Sequence, residues 1–562
     1  MFSFTLPSAA SAFLLVLPWP LLTTGILSGL GVANRYPRLI KRATTASAAF
    51  ALLCAILALT TYANGLTGSI PWLSLPLPWG LGAFEIRVAV NPLSLAMALL
   101  VAFVGYAVVS FSVRYLDGDP GEGQFMRFMS LTLGFFFTMV VVDNLWAFFL
   151  SWVAKGIFLH RLLVFYPDRP KARLAARKKF FLHRISDAAL LLAFIILART
   201  LHTDRFSGLG AALSGLTTLP FPLGVAAGLL FLAVVLKSAQ FPLQGWLIQV
   251  MEAPTPVSAL MHAGLIYSGT FLFLRTTPLL SLATGFRDLL IANAMTTIVV
   301  GALAMMIASD IKGALAWSTS AQMGFMLLEC GLGLYSVAVM HIIAHSLYKA
   351  HAFLSSGSVV EPFRGPDLTL SPILGGSPGR MFLALGTGIV MTLLSGELFG
   401  SDLLHAPALL LLGAILSVAL ARLLLSGLSA REGSGFPLLL PTAGLVALVS
   451  LATFALHRLF EFFLGGVLPS APLPGTPFQM AILIAVAIVF LGLLWIEEIL
   501  PLSGDRPFWK RLYVHIGAGL YSDFLLDRLL ETRVAGTGPS NPYAQRLLSA
   551  NKKTTHSREV LP

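Results

Sequence analysis

Cysteine is almost absent: only Cys54 and Cys330 occur in 562 residues, in separate apolar stretches. That excludes a disulfide framework, an iron–sulfur cluster held by this chain and a cysteine-based zinc site. Charge is scarce too. Asp, Glu, Lys and Arg make up 11% of the chain, against about 25% in a soluble domain. Hydrophobic residues make up 57%, and mean hydropathy is +0.84. The chain also lacks a GxxxxGK[ST] phosphate loop and a dinucleotide fingerprint, so ATP-driven or redox chemistry within it is not expected. The net charge of +12 does not argue for nucleic acid, because the basic residues cluster between apolar runs. No basic n-region precedes the first apolar run, so no cleaved signal peptide is expected.

What is present is a succession of apolar runs, each near the ~20 residues that cross a bilayer. They predict an all-α polytopic membrane protein with about 13–15 transmembrane helices. The fifteen spans fall near 10–33, 43–64, 92–113, 125–142, 143–164, 185–202, 221–241, 255–275, 287–308, 312–332, 335–359, 379–400, 405–427, 436–460 and 478–500. Basic residues between the first two spans (Arg35, Arg38, Lys41, Arg42) and between the fifth and sixth (Arg169 to Arg184) then share one side with Lys312, Arg364, Arg380, Arg422 and Arg431. This places that side in the cytoplasm, with the N-terminus outside and the C-terminus inside. Beyond Leu502, aromatic and charged residues at helical spacing predict a cytoplasmic amphipathic tail over 503–562, loose from Thr537 onward.

The ionisable residues inside these runs carry the functional reading. Lys237 follows fourteen uncharged, mostly apolar residues and precedes Pro242 by five positions. A charge at the centre of a bilayer helix costs roughly 2.5–3.5 kcal/mol on insertion scales, and a proline there frees backbone groups that lipid cannot satisfy. Both penalties coincide mainly where a helix is broken around an ion or proton site; a lysine snorkelling to the headgroups is the alternative. Pro254 and Pro256 precede a span carrying His262, whose residue type suits a proton relay or a plain interhelical hydrogen bond. His341, His345 and Lys349, spaced i, i+4, i+8, form one stripe along a helix. An HxxxH metal pair is the lesser reading there, since a lysine one turn away repels a cation and no acidic ligand is evident nearby. Lys155, Glu329 and Glu397 also lie in apolar surroundings. Glu397 sits in LLSGELFG, where Gly396 marks a close approach or a break, or where the carboxylate simply faces water at a helix end. Asp310 and Lys312 read as a loop pair, with Lys312 able to reach inward. Together these residues form a lengthwise series of titratable groups in an otherwise apolar chain.

Several runs resemble the antiporter-like subunits of respiratory complex I and Mrp antiporters: Asn91-Pro-Leu-Ser-Leu, Asp143-Asn-Leu, Lys237-Ser-Ala-Gln-Phe-Pro-Leu, Pro254-Thr-Pro-Val-Ser-Ala-Leu-Met-His262, Ser309-Asp-Ile-Lys-Gly-Ala-Leu-Ala-Trp, and His341…His345…Lys349. The resemblance covers roughly residues 85–400. It implies two inverted five-helix repeats, the fourth to eighth and ninth to thirteenth spans, each with a broken helix. The parts are then N-terminal helices (1–124), a first repeat (125–275), a second repeat (287–427), C-terminal helices (436–500) and the tail. Lys237 and Glu397 fall on the fourth helix of each repeat. The proton path implied is Lys237, His262, His341, His345, Lys349, Glu397, Lys312, Glu329 and Lys155, with Pro242, Pro254, Pro256 and Gly396 at helix breaks. The chain departs from the family in its fifth span, where Val153 in Ser151-Trp-Val-Ala-Lys-Gly156 stands in place of the glutamate that pairs with the lysine. The ion pair expected to tune Lys237 is therefore missing.

Three further runs, His160-Arg-Leu-Leu-Val-Phe-Tyr-Pro-Asp-Arg-Pro170, Ala176-Arg-Lys-Lys-Phe180 and Tyr513-Val-His-Ile-Gly-Ala-Gly-Leu-Tyr521, resemble the DabB-type membrane subunit of bacterial inorganic carbon transporters. That resemblance implies a large soluble DabA-type partner similar to a zinc β-carbonic anhydrase. Proton movement through the membrane subunit would drive CO2 hydration there. This chain would then be an energy-coupling transport subunit rather than an enzyme, with no metal or cofactor of its own, in a bacterial inner membrane. A cation/proton antiporter or respiratory-complex subunit, and a membrane anchor whose proton path has decayed, are the competing readings.

Overall fold

The computed structural model describes residues 9–522 and 528, apart from 30, 63–67, 77–82, 217, 251–252, 309, 357–377, 402, 404–405, 430–434, 469–476 and 504–506. Helices stand at all fifteen expected positions. In chain order they are α1 (Ala9–Val16), α2 (Trp19–Leu27), α3 (Val32–Arg35), α4 (Pro37–Tyr62), α5 (Pro92–Tyr115), α6 (Glu122–Val141), α7 (Leu145–Leu163), α8 (Pro170–Leu201) and α9 (Phe206–Leu213). Then come α10 (Phe221–Lys237), α11 (Gly245–Gln249), α12 (Thr255–Ala263), α13 (Ser268–Arg275), α14 (Thr277–Leu280), α15 (Thr284–Ile307), α16 (Ile311–Gly331) and α17 (Tyr335–Leu354). The last five are α18 (Pro378–Leu398), α19 (Pro407–Ser429), α20 (Gly435–Leu464), α21 (Pro477–Ser503) and α22 (Pro507–Gly517). Among the described residues ten helices are long and apolar enough to cross a membrane. The chain is a multi-pass, all-α membrane protein. Its one described sheet is an antiparallel hairpin of β1 (Gly68–Pro76) and β2 (Ala83–Val90), with Gly68 opposite Val90 and Pro76 opposite Ala83.

Polar residues in the family-like runs turn out to start helices. Asn91 accepts from Ser94 N–H at 2.9 Å, with Pro92 opening α5. Asn144 accepts from the Trp146 and Ala147 amides at 2.9 and 3.0 Å and starts α7. Asp310, expected as a loop partner of Lys312, accepts from Gly313 N–H at 2.6 Å and caps α16. Each satisfies a helix-terminal donor that has no partner within the helix. The Arg275 guanidinium, buried at the end of α13, bonds the Val142 carbonyl at 2.5 Å and lies 3.7 Å from Asp143. Asp143 in turn accepts from Ser207, so α6, α9 and α13 are tied at one end of the bundle.

The expected loop 169–184 is helix: α8 begins at Pro170, and Lys178, Lys179 and His183 are buried on it. The tail begins with α22, whose Phe508, Tyr513 and Val514 are exposed; from 529 onward it lies outside the described residues.

Two spans are interrupted. The seventh ends as α10 at Lys237 and resumes as α11, with Pro242 in the irregular stretch between and Ala239 at φ 48°. Side chains of α15 and α16 take up the backbone freed there. Phe241 N–H donates to Thr297 at 3.0 Å, Asn293 donates to the Phe241 carbonyl at 2.9 Å, and Ser320 donates to the Ala239 carbonyl at 3.1 Å. This is how a membrane protein tolerates a broken helix. The eighth span starts after Pro254, carries Pro256 in its first turn, and breaks after Ala263 into a 3-10 turn, Leu265–Tyr267, before α13. At the twelfth span, where a break was expected at Gly396, α18 runs through Gly396 to Leu398. The glycine serves packing instead: a Cβ there would lie 2.4 Å from Leu403 Cδ1.

Candidate functional site

Lys237 is 3% exposed, so it does not snorkel. Its Nζ lies 3.2 Å from Oδ1 of Asp187, a buried carboxylate on α8. The same Oδ1 accepts from the Trp152 indole N–H at 2.8 Å, and Oδ2 forms an ion pair with Arg184 at 2.6 Å. The ammonium also sits 4.3 Å from the centroid of the Trp152 ring. The acid missing at Val153 on α7 is therefore supplied from α8. Asp187 is a residue of this cluster that sequence reasoning missed. The signal for it was Arg184-Ile-Ser-Asp187, an i, i+3 pair at the mouth of an apolar run.

Lys155, one turn beyond Trp152 on α7, is buried and donates to Ser268 Oγ. Its ammonium lies 4.9 Å from the Phe136 ring centroid and 5.4 Å from that of Trp152, so both lysines share the indole. Lys179 donates to the Gly156 carbonyl at 3.1 Å. Cations from α7, α8 and α10 thus surround the Asp187 carboxylate.

The 3-10 turn joins this cluster to the histidine stripe. Ser268 receives Lys155, while its neighbour Tyr267 lies 2.6 Å, Oη to Nδ1, from His345. Tyr267 also donates to the His262 carbonyl at 2.9 Å. His262 is fully buried, stacked on Phe353, with Nδ1 3.0 Å from Thr319 Oγ1. Lys349, also fully buried, donates to the Leu315 carbonyl at 3.0 Å, the carbonyl that accepts from Thr319. His341 continues the stripe: Nδ1 lies 3.1 Å from Glu329 Oε1, and Nε2 lies 2.7 Å from Gln322 Oε1.

The structure thus brings Lys237, Lys155, His262, His345, Lys349, His341 and Glu329 into one buried polar series. Lys312 is half-buried at its margin, 3.3 Å from Thr255. Glu397 is not part of it; it is exposed in the last turn of α18. Among the described residues no three His, Cys, Asp or Glu side chains gather as a metal site.

The transmembrane family model of NADH:quinone oxidoreductase and Mrp antiporters matches residues 142–370, and the N-terminal model of complex I chain 5 matches residues 79–126. A probable inorganic carbon transporter subunit, DabB2 of Halothiobacillus neapolitanus, is 39% identical over 92% of this chain and 93% of its own length. A probable DabB subunit of Hydrogenovibrio crunogenus is 44% identical over 49% of this chain and 53% of its own. The NADH-quinone oxidoreductase subunit L of Mycobacterium tuberculosis is 35% identical over 49% of this chain and 44% of its own. The structure of the Mrp complex from Dietzia sp. superposes with a TM-score of 0.60 at 22% identity, over 98% of this chain and 63% of that one, which shows the shared fold. With a relative matched along nearly its whole length, the chain belongs to the DabB-type inorganic carbon transporter subunits, a branch of the antiporter-like membrane proteins of complex I and Mrp.

Proposed function

We propose that this chain is the proton-conducting subunit of a two-component inorganic carbon uptake complex in a bacterial inner membrane, with its N-terminus periplasmic and its C-terminus cytoplasmic. Protons enter from outside, pass along the buried series and leave toward the cytoplasm. The observation that carries the reading is the continuity of that series. The Asp187–Lys237 pair, Lys155 with Ser268, Tyr267 with His345, and His341 with Glu329 follow one another through the interior of the helix bundle. Two inverted repeats would supply the two halves of the path, meeting at the 3-10 turn. The partner is a large soluble DabA-type protein resembling a zinc β-carbonic anhydrase, which holds the metal and hydrates CO2; this chain carries no cofactor. Each charge moved is worth about 2.3 kcal/mol per 100 mV, enough to drive a near-balanced hydration one way.

The test is Lys237→Ala in a host that requires high CO2 for growth, with affinity purification of the complex. The expected result is normal assembly with a zinc-bearing soluble partner, lost growth rescue in air, and lost proton uptake in proteoliposomes. Full rescue would make the chain an anchor. Sodium-dependent transport, or recovery of redox subunits instead of the partner, would return it to the antiporter or respiratory class.

A further inference from the structure

The hydroxyl groups beside the two central histidines have hydrogen bonds that can be counted. Tyr267 has one hydrogen to give. Its Oη lies 2.9 Å from the His262 carbonyl, a group that only accepts, and 2.6 Å from His345 Nδ1. Ser346 on α17 gives its own hydrogen to the Ile342 carbonyl at 2.6 Å. Tyr267 is fully buried, so water cannot compete for that hydrogen. Given to the carbonyl, that hydrogen leaves the phenol oxygen only to accept, and His345 Nδ1 then carries the proton that it receives.

The same arithmetic applies on α16. Thr319 gives its hydrogen to the Leu315 carbonyl at 2.8 Å, and its Oγ1 lies 3.0 Å from His262 Nδ1. Lys349 donates to that same carbonyl. With its hydrogen on that carbonyl, the hydroxyl accepts from the ring. In both neutral histidines the bond at Nδ1 dictates what the other nitrogen does. Nε2 of each is buried and has no hydrogen-bond partner among the described residues. A buried Nε2–H without an acceptor would cost about 1–3 kcal/mol.

We propose that Tyr267 and Thr319 are positioning residues that lock His345 and His262 in the Nδ1–H form, so that both rings present the Nε2 lone pair as the proton-accepting atom of the path. The Tyr267 lock depends on the helix break, because only the 3-10 turn brings its phenol back to the carbonyl of His262 five residues earlier. The proton-accepting role rests on the proton-conduction reading; the tautomers do not, and the two are tested separately.

The experiment is solid-state NMR of the full chain in lipid bilayers with 15N,13C-labelled histidine, at a pH where neutral rings are observed. His262→Gln and His345→Gln variants assign the two signals. Wild-type protein should show both rings as Nδ1–H, the form less populated in free histidine. Tyr267→Phe should convert His345 alone to Nε2–H or to a mixture, and Thr319→Val should do the same to His262 alone. Either ring found as Nε2–H in wild-type protein overturns the proposal for that ring, whether or not the variants fold. Variants that leave their ring as Nδ1–H overturn it as well. Proton uptake by the same variants in proteoliposomes then judges the other reading. Uptake that falls with a shifted pH profile when a tautomer changes supports conduction through these rings; unchanged uptake with a changed tautomer keeps the locks and removes the rings from the path.

Discussion

Asp187→Asn tests the electrostatic centre of the site. Asparagine keeps the shape and can still accept from Trp152, but removes the negative charge that faces Lys237 at 3.2 Å and Arg184 at 2.6 Å. Lys237 is 3% exposed and Asp187 5%, so the ammonium is left with little water to replace its partner. Removing one member of a buried ion pair costs about 3–5 kcal/mol, equivalent to two hydrogen bonds to a charged group at roughly 1.5–3 kcal/mol each. SDS titration in mixed micelles measures the unfolding free energy of the purified protein. The single variant should lose about 3–5 kcal/mol. The double variant Asp187→Asn with Lys237→Met should recover part of that, with a coupling energy of about 1.5–3 kcal/mol in the cycle. Arg184 remains in both backgrounds, so recovery should be incomplete. An Asp187→Asn cost below about 0.5 kcal/mol, or a coupling within about 0.5 kcal/mol of zero, would refute the reasoning, because it would mean that Lys237 is not held as a cation by this carboxylate.

Lys155 has hydroxyl, thioether and ring neighbours but no carboxylate among its hydrogen-bond partners. Lys155→Met should therefore stabilise the fold, by about 1–4 kcal/mol in the same titration, while proton uptake in proteoliposomes falls. Gly269→Ala would put a Cβ 2.1 Å from Ser238 Oγ and 2.7 Å from the Val234 carbonyl. It should destabilise by roughly 1–3 kcal/mol and displace the end of α10 that carries Lys237, read as a lower melting temperature together with lost uptake. Asp117, in the loop after α5, is held below the usual carboxylate range first by the hydrogen bond from Lys41 and then by its charge. A lowered carboxyl stabilises above its unfolded pKa, and that contribution is lost as pH falls through the folded value. Asp117→Asn should thus lower the melting temperature slightly at neutral pH and leave it little changed below about pH 4, which flattens the acid limb of the profile.

The fold was legible because lipid imposes a length on every span, so apolar runs alone located fifteen helices. Their interruptions were less legible. A proline five residues past a buried lysine marked the break after α10 correctly, since proline removes a donor and clashes wherever a helix continues. Gly396 carried no such compulsion. Glycine permits a break but equally permits close packing, and only the position of Leu403 decides which occurs. The break after Ala263 had the weakest signal of all: Gly264 at φ −148° starts it, in a run of residues that would otherwise continue a helix. The β-hairpin between the second and third spans was not foreseen either, because its residues interleave prolines and glycines with apolar positions.

The site divides in the same way. Lysines and histidines in apolar runs were conspicuous because a buried charge is expensive wherever it sits. Their partners were not, because a partner is defined by the packing of one helix on another. Asp187 shows the difficulty. It lies two residues inside the expected sixth span and three residues after Arg184, at the end of a basic stretch that reads as a cytoplasmic loop, where an acid signals nothing more than a surface pair. Once Pro170–Leu201 forms a single helix, that stretch becomes the first half of a span. The helix packs against α7 and α10 and turns the carboxylate toward Trp152 and Lys237. The acid absent from one helix is supplied by the next, because the lysine requires a counter-charge within reach rather than at a given position in the chain. Val153 therefore does not leave Lys237 without a counter-charge: the Asp187 carboxylate on α8 stands 3.2 Å from its ammonium.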